Sequence, residues 1–444
     1  MSETRELARF VARTTYADLP AGLVERARVY VLDNLAAGYV GSAQPWSGMV
    51  ADTVQALGGA PQASVFRRPW RTDVSRAALV NGVMLGAFEA EHFGHAAHPS
   101  ATVFPAALAV AEHLHVDGRA FVLAMLLGYE VVCRVGAAQT RATELERGFH
   151  NPGVNGAFGA AAAVGKLLGL DEERLAWALG IAGSHACGLV EFVFEGAMTK
   201  RAHPGRAAQL GLESALLARA GFSGPTTVLE GRHGYLQAYS PSPRPERLVA
   251  GLGQDWLAAE LTIKAYACHA TSQAVVEAIQ RLKSTFKVKP FDPRAVRRVL
   301  VSLDIEARYL ERQPTTLLGA QYSLPFTTAV ALARDLANPS MYDAQALADP
   351  LIRELAGRVE IAPGPPRVMI DLDASQRVLE ARDFPGSPTQ PLDFAAASEK
   401  LRRYAGPVAG RARTARLVDL VERLQNLEDV SLLARAIAAR ASTS

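Results

Sequence analysis

Acidic and imidazole side chains are concentrated in one short stretch of the sequence. Glu89, Glu91, His92, His95 and His98 lie within ten positions, directly before the nearly uncharged run 101–111. Imidazoles and carboxylates are the groups that most often transfer protons in enzymes, and apolar surroundings tune their pKa values for that task. The stretch therefore predicts a proton-transfer site. The alternative is that one or two of these histidines cap or pack, while the others are solvated.

Helices are predicted on both sides of this stretch. Ser100 or Thr102 can cap a helix that covers the run 101–111, and Pro105 is compatible with that helix only in its first turn. The preceding residues, 77–90, are predicted as a helix with small side chains on one face, at Ala78, Gly82 and Gly86. The titratable groups would then lie at a helix entrance on a rigid apolar support.

A second stretch is rich in cations. Lys200, Arg201, His203 and Arg206 surround a Pro-Gly pair. We expect a turn here, followed by a helix over 207–220 whose unpaired N–H groups favour anions. The largely apolar segment before the pair indicates that the turn is not fully exposed. The stretch predicts a cradle for a carboxylate, and the alternative is a solvated basic turn.

Two further histidines lie next to predicted helix starts. His269 precedes Thr271, a good N-cap residue for a helix over 273–283, and Lys264 lies just upstream. A histidine at a helix N-terminus tends to stay neutral, which suits a general base or a hydrogen-bond donor. Packing or capping alone is the competing explanation for His269. His150 lies on a loop that enters a helix of small residues.

Other catalytic templates fit poorly. Residues 159–166 have the wrong glycine spacing for a phosphate-binding loop, and 251–256 lack the third glycine of a dinucleotide site. No nucleophile elbow and no HExxH motif occur. A metal site stays open, because Glu89 and His92, or Glu91 and His95, would share one face of a helix.

Length and composition limit the class of protein. A chain of 444 residues is expected to form at least two domains. A formal net charge of +3 without a Lys/Arg run argues against nucleic-acid binding. Three cysteines without a CxxC pair indicate a reducing compartment. No signal peptide is recognised, and Pro105, Glu112 or Glu130 interrupts the longest apolar runs. We expect a soluble, cytoplasmic protein without membrane contact.

Helical periodicity dominates until about residue 295, and strands are predicted after it. Val299, Val301, Leu303 and Ile305 alternate with other residues as in a half-buried strand. Residues 368–372 alternate in the same way, and 373–376 can turn the chain back into 377–382 as a hairpin. Helices return after residue 391. The pattern predicts a mainly α protein, with a large all-helical domain and a smaller α+β domain.

Eight motifs, taken together and in order, resemble the MmgE/PrpD family over nearly the whole chain. They are NGVMLGAFEAE, HPSATVFPAALAVAE, GFHNPGVNGAFGAAAAVGKLLGLD, SHACGLVEFVFEGAMTKRAHPGRAA, GFSGPTTVLEGRHG, IKAYACHAT, AQYSLPFTTAVAL and FPGSPTQPLDF. The resemblance implies a large helical domain over 1–268, an α+β lid domain over 269–394, and C-terminal helices over 395–444 that pack back on the first domain. It also implies an active site in the cleft between the domains, a homodimer, and no metal or organic cofactor.

The same resemblance, read beside the stretches above, assigns the candidate site residues. The predicted catalytic residues are Glu89, His98, His150, His269 and Tyr309, and the predicted substrate-binding residues are Lys200, His203, Arg206 and Lys264. One departure is clear: relatives typically carry an Asp-rich run of the form DFDDT where this chain has EAEHF at 89–93. Longer glutamates and an added imidazole must reshape the pocket, so the substrate of the best-known members cannot be transferred.

The predicted function is a cofactor-independent lyase that abstracts a proton next to a carboxylate of a small di- or tricarboxylic acid. Dehydration of the kind catalysed by 2-methylcitrate dehydratase is favoured, because it is a prominent activity of the family that the chain resembles. Decarboxylation of a cis-aconitate-like acid and epimerisation on the same site are the alternatives. A non-catalytic carboxylate-binding protein and a metal-dependent hydrolase are the remaining hypotheses.

Overall fold

The computed structural model describes residues 2–286, 290–335, 338–373 and 375–438. The chain divides into two compact units. The helical unit comprises Met1–Val190, Thr199–Thr262 and Asp393–Ser444, and the α+β unit comprises Glu191–Met198 and Ile263–Leu392. The domain boundaries given above stay predictions, and residues 439–444 of the last predicted segment lie outside the described residues.

The fold is mainly helical, which confirms the predicted fold class. The first eleven α-helices are α1 Glu3–Arg13, α2 Ala21–Ser42, α3 Pro45–Leu57, α4 Val74–Leu85, α5 Pro99–Thr102, α6 Phe104–Leu114, α7 Gly118–Gln139, α8 Ala142–Leu145, α9 Asn151–Leu167, α10 Glu172–Ser184 and α11 Phe192–Glu195. The next ten are α12 Thr199–Arg219, α13 Tyr235–Tyr239, α14 Gln273–Ser284, α15 Leu317–Tyr322, α16 Leu324–Ala333, α17 Ala344–Ala348, α18 Pro350–Gly357, α19 Phe394–Ala409, α20 Arg411–Glu422 and α21 Ser431–Ala438.

Aspartate side chains begin several helices of the helical unit. Asp73 accepts a hydrogen bond from the backbone N–H of Arg76 at the start of α4, and Asp117 accepts one from Ala120 at the start of α7. Asp393 does the same at the start of α19. Each carboxylate satisfies a backbone donor that has no partner within the helix, so these boundaries are encoded locally.

Helices α4 and α12 approach each other closely through their glycines. A Cβ atom placed on Gly82 would lie 2.6 Å from the Cα of Gly205, and one on Gly86 would lie 2.8 Å from the ring of Pro204. The predicted small face of α4 is therefore a contact surface. The turn predicted at the Pro-Gly pair is wrong, because α12 runs unbroken from Thr199 to Arg219 with Pro204 inside it. Tight packing against α4 holds this segment helical despite the proline.

The last helices lie in the helical unit. The ammonium of Lys400, on α19, forms an ion pair with Asp33 of α2. Beyond α20, the carbonyl of Ile437 on α21 accepts a hydrogen bond of 3.0 Å from the backbone N–H of Arg67. The C-terminal segment thus supplies partners for residues that precede it by more than three hundred positions.

Four strands form the sheet of the α+β unit. They are β3 Val296–Ser302, β4 Val359–Ala362, β5 Arg367–Leu372 and β6 Ser375–Glu380, in the spatial order β4-β3-β5-β6. Strand β3 pairs in parallel with β4 and antiparallel with β5, while β5 and β6 form an antiparallel hairpin. The predicted hairpin is confirmed, although Ala374 in its turn lies outside the described residues.

Two strand predictions need correction. The strand predicted through Ile305 ends at Ser302, because Ile305 packs instead against a cluster of Phe192, Tyr309, Leu318 and Tyr322. Strands also occur before residue 295: β1 Ala63–Ser64 pairs with β2 Arg71–Thr72. The backbone and the hydroxyl of Ser64 both donate to the buried carboxylate of Glu112. Two-residue strands leave no periodic pattern in a sequence.

Among the described residues, α7 is the one helix whose length and composition would allow it to cross a membrane. The prediction that Glu130 interrupts this run is wrong. Glu130 and Arg134 form a buried ion pair of 2.6 Å inside α7, and 89% of the most apolar window is buried within the protein. A core helix passes the same test, so α7 alone does not identify a membrane protein.

Candidate active site

The segment between α4 and α5 carries the acidic and imidazole stretch, and it is not helical. Glu89, His95 and Ala96 have positive φ angles of 55°, 49° and 56°. Such conformations are strained for residues other than glycine and persist only where surrounding contacts impose them. The helix predicted to Ala90 ends at Leu85, so the premise that the Glu/His pairs share a helix face is wrong. No group of three or more His, Cys, Asp or Glu side chains that could hold a metal occurs among the described residues.

Glu91 holds the ring of His98. The distance from Glu91 Oε1 to His98 Nδ1 is 3.0 Å, and Phe93 stacks on the imidazole with a centroid distance of 5.7 Å. An ionised carboxylate can only accept a hydrogen bond, so Nδ1 carries a proton, and Nε2 is the nitrogen left for proton transfer. Nε2 has no hydrogen-bond partner among the described residues, and the side chain is 24% exposed. His98 is therefore oriented at one nitrogen and accessible at the other.

Glu89 and Lys200 form an ion pair that joins the strained segment to α12. Both side chains are almost fully buried, with exposed fractions of 3% and 5%. Lys200 lies in the first turn of α12, where α12 packs on α4. The ion pair therefore fixes the strained segment to the first turn of α12.

His150 and His203 form a hydrogen-bonded pair. Their Nδ1 atoms are 2.9 Å apart, which requires one ring to donate and the other to accept. His150 is the N-cap residue of α9, directly before the helix of small residues that the sequence predicted, and His203 lies on α12 one turn after Lys200. Burial, together with the charge of Lys200, lowers the pKa of His203 to about 4. His203 is thus neutral near pH 7 and can accept the proton of its partner.

Ion pairs and hydrogen bonds therefore link five predicted residues of the helical unit. Glu89, His98, His150, Lys200 and His203 are connected through Glu91 and through the first two turns of α12. Arg206 does not join them: it is exposed, and its guanidinium donates to Gln209 at 2.7 Å. Arg201 is buried, with its Nε donating to the Ala87 carbonyl and its guanidinium 3.8 Å from the ring of Trp46.

The capping prediction for α5 and α6 is wrong. Ser100 donates to Asn34 Oδ1 at 2.6 Å, and Thr102 donates to the carbonyl of His98. Neither hydroxyl caps a helix, because tertiary and local acceptors compete for both. Pro105 does lie in the first turn of α6, as predicted.

Sequence reasoning missed a buried polar network behind this segment. His92 Nδ1 lies 2.8 Å from Asp33 Oδ2, and His92 Nε2 lies 3.1 Å from the hydroxyl of Tyr129. Asp33 also accepts from Lys400, whose ammonium donates to the carbonyl of Ala90 at 2.8 Å. The one sequence signal was the Asp33-Asn34 pair inside the otherwise apolar run of α2.

The α+β unit holds its own predicted histidine and tyrosine together. The ring of His269 stacks on Tyr309 with a centroid distance of 4.6 Å and lies 4.7 Å from Tyr322. His269 is the N-cap residue of the short 3-10 helix Ala270–Ser272, just before α14, and its Nδ1 is 3.0 Å from the hydroxyl of Thr271. Tyr309 and His269 are thus neighbours although forty positions separate them.

Lys264 is buried near the same histidine in sequence. Lys264 is only 1% exposed. Burial raises the pKa of the nearby Cys268 thiol to about 12, and the charge of Lys264 opposes that rise. Cys268 is therefore an inert thiol at neutral pH, and Lys264 is the polar group of this region that could bind an anion.

Comparison with known proteins identifies the family. The sequence profile of the MmgE/PrpD N-terminal domain matches residues 5–248, and that of the C-terminal domain matches residues 266–426. The chain belongs to the MmgE/PrpD family, which confirms the resemblance drawn from its motifs.

Curated relatives match along almost the whole chain. The cis-aconitate decarboxylase of Aspergillus terreus is 29% identical, covering 97% of this chain and 94% of its own length. The cis-aconitate decarboxylase-like protein oryM of Aspergillus oryzae is 29% identical, at 97% and 96% coverage. The cis-aconitate decarboxylase of Mus musculus is 27% identical, at 98% and 93% coverage. The protein is accordingly an enzyme, a lyase of the MmgE/PrpD type.

Proposed function

We propose that the protein decarboxylates a small unsaturated di- or tricarboxylic acid of the cis-aconitate kind. The observation that carries the proposal is His98: one nitrogen is held by Glu91, and the other has no hydrogen-bond partner among the described residues. An oriented imidazole with an accessible nitrogen is suited to deliver or remove a proton at a carbon atom. The curated relatives support decarboxylation, since each of the three is named for it.

The chemistry requires one bond to break and one proton to arrive. When a carboxylate leaves as carbon dioxide, the electrons of its C–C bond enter the adjacent C=C–carboxylate system. Negative charge then spreads onto a remaining carboxylate, and a proton must be added at carbon to complete the product. An enzyme for this reaction needs donors for the developing charge and a positioned acid.

Lys200 and the histidine pair supply candidate donors for the developing charge. Lys200 carries an ammonium, which favours a carboxylate, and it lies beside Glu89 in the first turn of α12. His150 caps α9, whose first backbone N–H groups also favour an anion. In the pair, one ring donates from Nδ1 and the other accepts at Nδ1, so each ring is held in a fixed orientation. We assign these groups to holding substrate carboxylates, and His98 to proton transfer.

Dehydration of a 2-methylcitrate-like acid is the competing reaction for the same residues. It needs the same carboxylate donors and the same histidine, but with hydroxide as the leaving group. No contact in the helical unit favours it over decarboxylation, and none of the relatives is named for it. The roles predicted for Lys264, His269 and Tyr309, the homodimer and the cytoplasmic location stay predictions.

A substrate panel followed by NMR tests the proposal. Purified protein is incubated in deuterated buffer with uniformly 13C-labelled cis-aconitate, and in parallel with citrate and 2-methylcitrate. We expect labelled carbon dioxide and new exomethylene protons from cis-aconitate or a close analogue, with one deuterium incorporated at carbon. New vinyl signals without carbon dioxide from the saturated acids would establish dehydration instead. Deuterium exchange without loss of mass would establish epimerisation, and either result would overturn the proposal.

A further inference from the structure

The segment that presents Glu89, Glu91 and His98 is strained and must be held from behind. Three of its residues, Glu89, His95 and Ala96, have positive φ angles. Each such residue is strained and persists only where surrounding contacts impose its conformation. The carbonyl of Ala96 accepts a hydrogen bond of 2.7 Å from Asn155, so one end of the segment has an anchor on α9.

His92 lies at the centre of the other anchor. It is completely buried, and its two ring nitrogens are taken up by Asp33 on α2 and Tyr129 on α7. Its ring also packs against Tyr30, with centroids 4.9 Å apart. His92 therefore has no nitrogen left for a substrate, in contrast to His98 six positions later.

The protons of this network have one consistent arrangement. Burial opposes the ionisation of Asp33, but the charge of Lys400 and the bond from His92 hold the pKa of Asp33 below its usual value. Burial lowers the pKa of His92 against the pull of Asp33, so the ring is neutral. His92 then donates from Nδ1 to Asp33 and accepts at Nε2 from the Tyr129 hydroxyl.

The network continues to both sides of the catalytic segment. The oxygen of Tyr129 accepts from the amide of Asn34 at 3.0 Å, and Asn34 in turn accepts from the hydroxyl of Ser100, two residues after His98. On the other side, Lys400 donates to the carbonyl of Ala90, between Glu89 and Glu91. Each polar group at these links is satisfied, which is the condition for a buried network to fix a single geometry.

We propose that His92 is a positioning residue that, together with Asp33 and Lys400, fixes the 89–98 segment so that Glu89 meets Lys200 and Glu91 meets His98. The inference rests on the proposed function for its catalytic consequence. Its structural consequence, the orientation of the His98 ring, can be tested whether or not the proposed function is correct.

Substitution His92→Gln tests the role, with His113→Gln as the matched control. Gln keeps a donor and an acceptor but cannot place them at the two imidazole positions, whereas His113 is exposed on α6 of the same unit. In 15N-histidine-labelled wild-type protein, we expect His92 to give the ring signals of the neutral Nδ1–H tautomer, and His98 to give a single set of ring signals with Nδ1 protonated. In His92→Gln, His98 should lose its single tautomer, and kcat should fall roughly 100-fold at nearly unchanged KM, as expected for a misplaced acid.

Tyr129→Phe is the second variant, in case His92→Gln does not fold. It removes one hydroxyl at nearly constant volume, and we expect a smaller fall in kcat, of about tenfold, with a shifted His92 signal. Folded variants that keep the His98 tautomer and a kcat within about twofold of the His113→Gln control would overturn the inference. If the wild-type protein decarboxylates no substrate, the proposed function fails, while the tautomer of His98 still decides the positioning role.

Discussion

The two units hold their candidate residues by different physical means. In the helical unit, Glu89, Lys200, His98 and His203 are held by ion pairs and hydrogen bonds to other titratable groups. In the α+β unit, the ring of His269 stacks on Tyr309 and packs against Tyr322. Protonation and geometry are therefore coupled in the helical unit, whereas ring stacking contributes to the position of the histidine in the α+β unit.

The largest effect should follow from breaking the buried Lys400–Asp33 pair. Lys400→Met leaves the carboxylate of Asp33 buried without its main counter-charge, which typically costs about 3–5 kcal/mol of unfolding free energy. Removing both charges with Asp33→Asn and Lys400→Met should cost less than the single Lys400→Met substitution. Urea unfolding of the four proteins of this cycle gives the coupling.

Arg402→Met provides the control for that cycle. Arg402 lies on the same helix, but its ion pair with Glu399 is 3.6 Å long and about half exposed. Its loss should change the unfolding free energy by less than about 0.5 kcal/mol. If the losses of unfolding free energy from Lys400→Met and Asp33→Asn were additive, the two residues would not be coupled. The contrast between the two units would then be wrong.

Acidification should destabilise the helical unit through His203. Burial and the charge of Lys200 lower its pKa in the folded protein from 6.5 to about 4. Below pH 6.5 the unfolded chain binds a proton at this histidine that the folded chain does not bind. The free energy of unfolding is therefore highest above pH 6.5 and decreases as the pH falls from 6.5 to 4. The melting temperature measured from pH 7 to pH 4 should fall less steeply in His203→Gln than in wild type.

His113→Gln is again the matched control, and it should keep the wild-type slope. The lowered pKa values of His92 and His95 act in the same direction, so a residual slope is expected in His203→Gln. A slope in His203→Gln that equals that of wild type would show that His203 does not couple folding to protonation.

Removing a ring, rather than a charge, should perturb the α+β unit. Tyr322→Leu takes away one of the two rings against His269 and should cost about 0.5–1.5 kcal/mol beyond the lost buried area. Tyr322→Phe keeps the ring and should stay close to wild type. Thermal unfolding compares the two, and an equal loss in both variants would assign the stabilisation to the hydroxyl instead of stacking.

The smallest effect is expected at Arg206. Its guanidinium is exposed and donates to Gln209, one turn further along α12. Arg206→Ala should change the unfolding free energy by less than about 0.5 kcal/mol, and the KM of the substrate much less than Lys200→Met does. A rise in KM as large as that caused by Lys200→Met would show that Arg206 does bind the substrate carboxylate, as the sequence predicted.

Local sequence signals predicted most elements and several site positions. The small face of α4, the location of His150 and His269 just before helices and the β5–β6 hairpin all follow from spacing and residue type. These features depend on neighbours within a few positions, so a single sequence contains what is needed to find them.

Tertiary features were beyond such signals. Asp33 and Lys400 meet although 367 positions separate them, and nothing in their local patterns marks them as partners. The helix that the apolar spacing extended to Ala90 ends at Leu85, and Glu89 beyond it has a left-handed conformation. At Pro204 the sequence predicted a turn where the structure has a helix. Close packing on Gly86 keeps this segment helical, although proline alone favours a break.

The central claim is that His98 transfers the proton in a decarboxylation, and single-turnover kinetics test it directly. His98→Asn and the exposed control His113→Asn are mixed with 13C-labelled cis-aconitate in deuterated buffer, and labelled carbon dioxide is followed with time. We predict a rate loss of about a hundred- to ten-thousand-fold for His98→Asn alone, with substrate still bound. Carbon dioxide release by His98→Asn at a rate within about tenfold of the control would contradict the account.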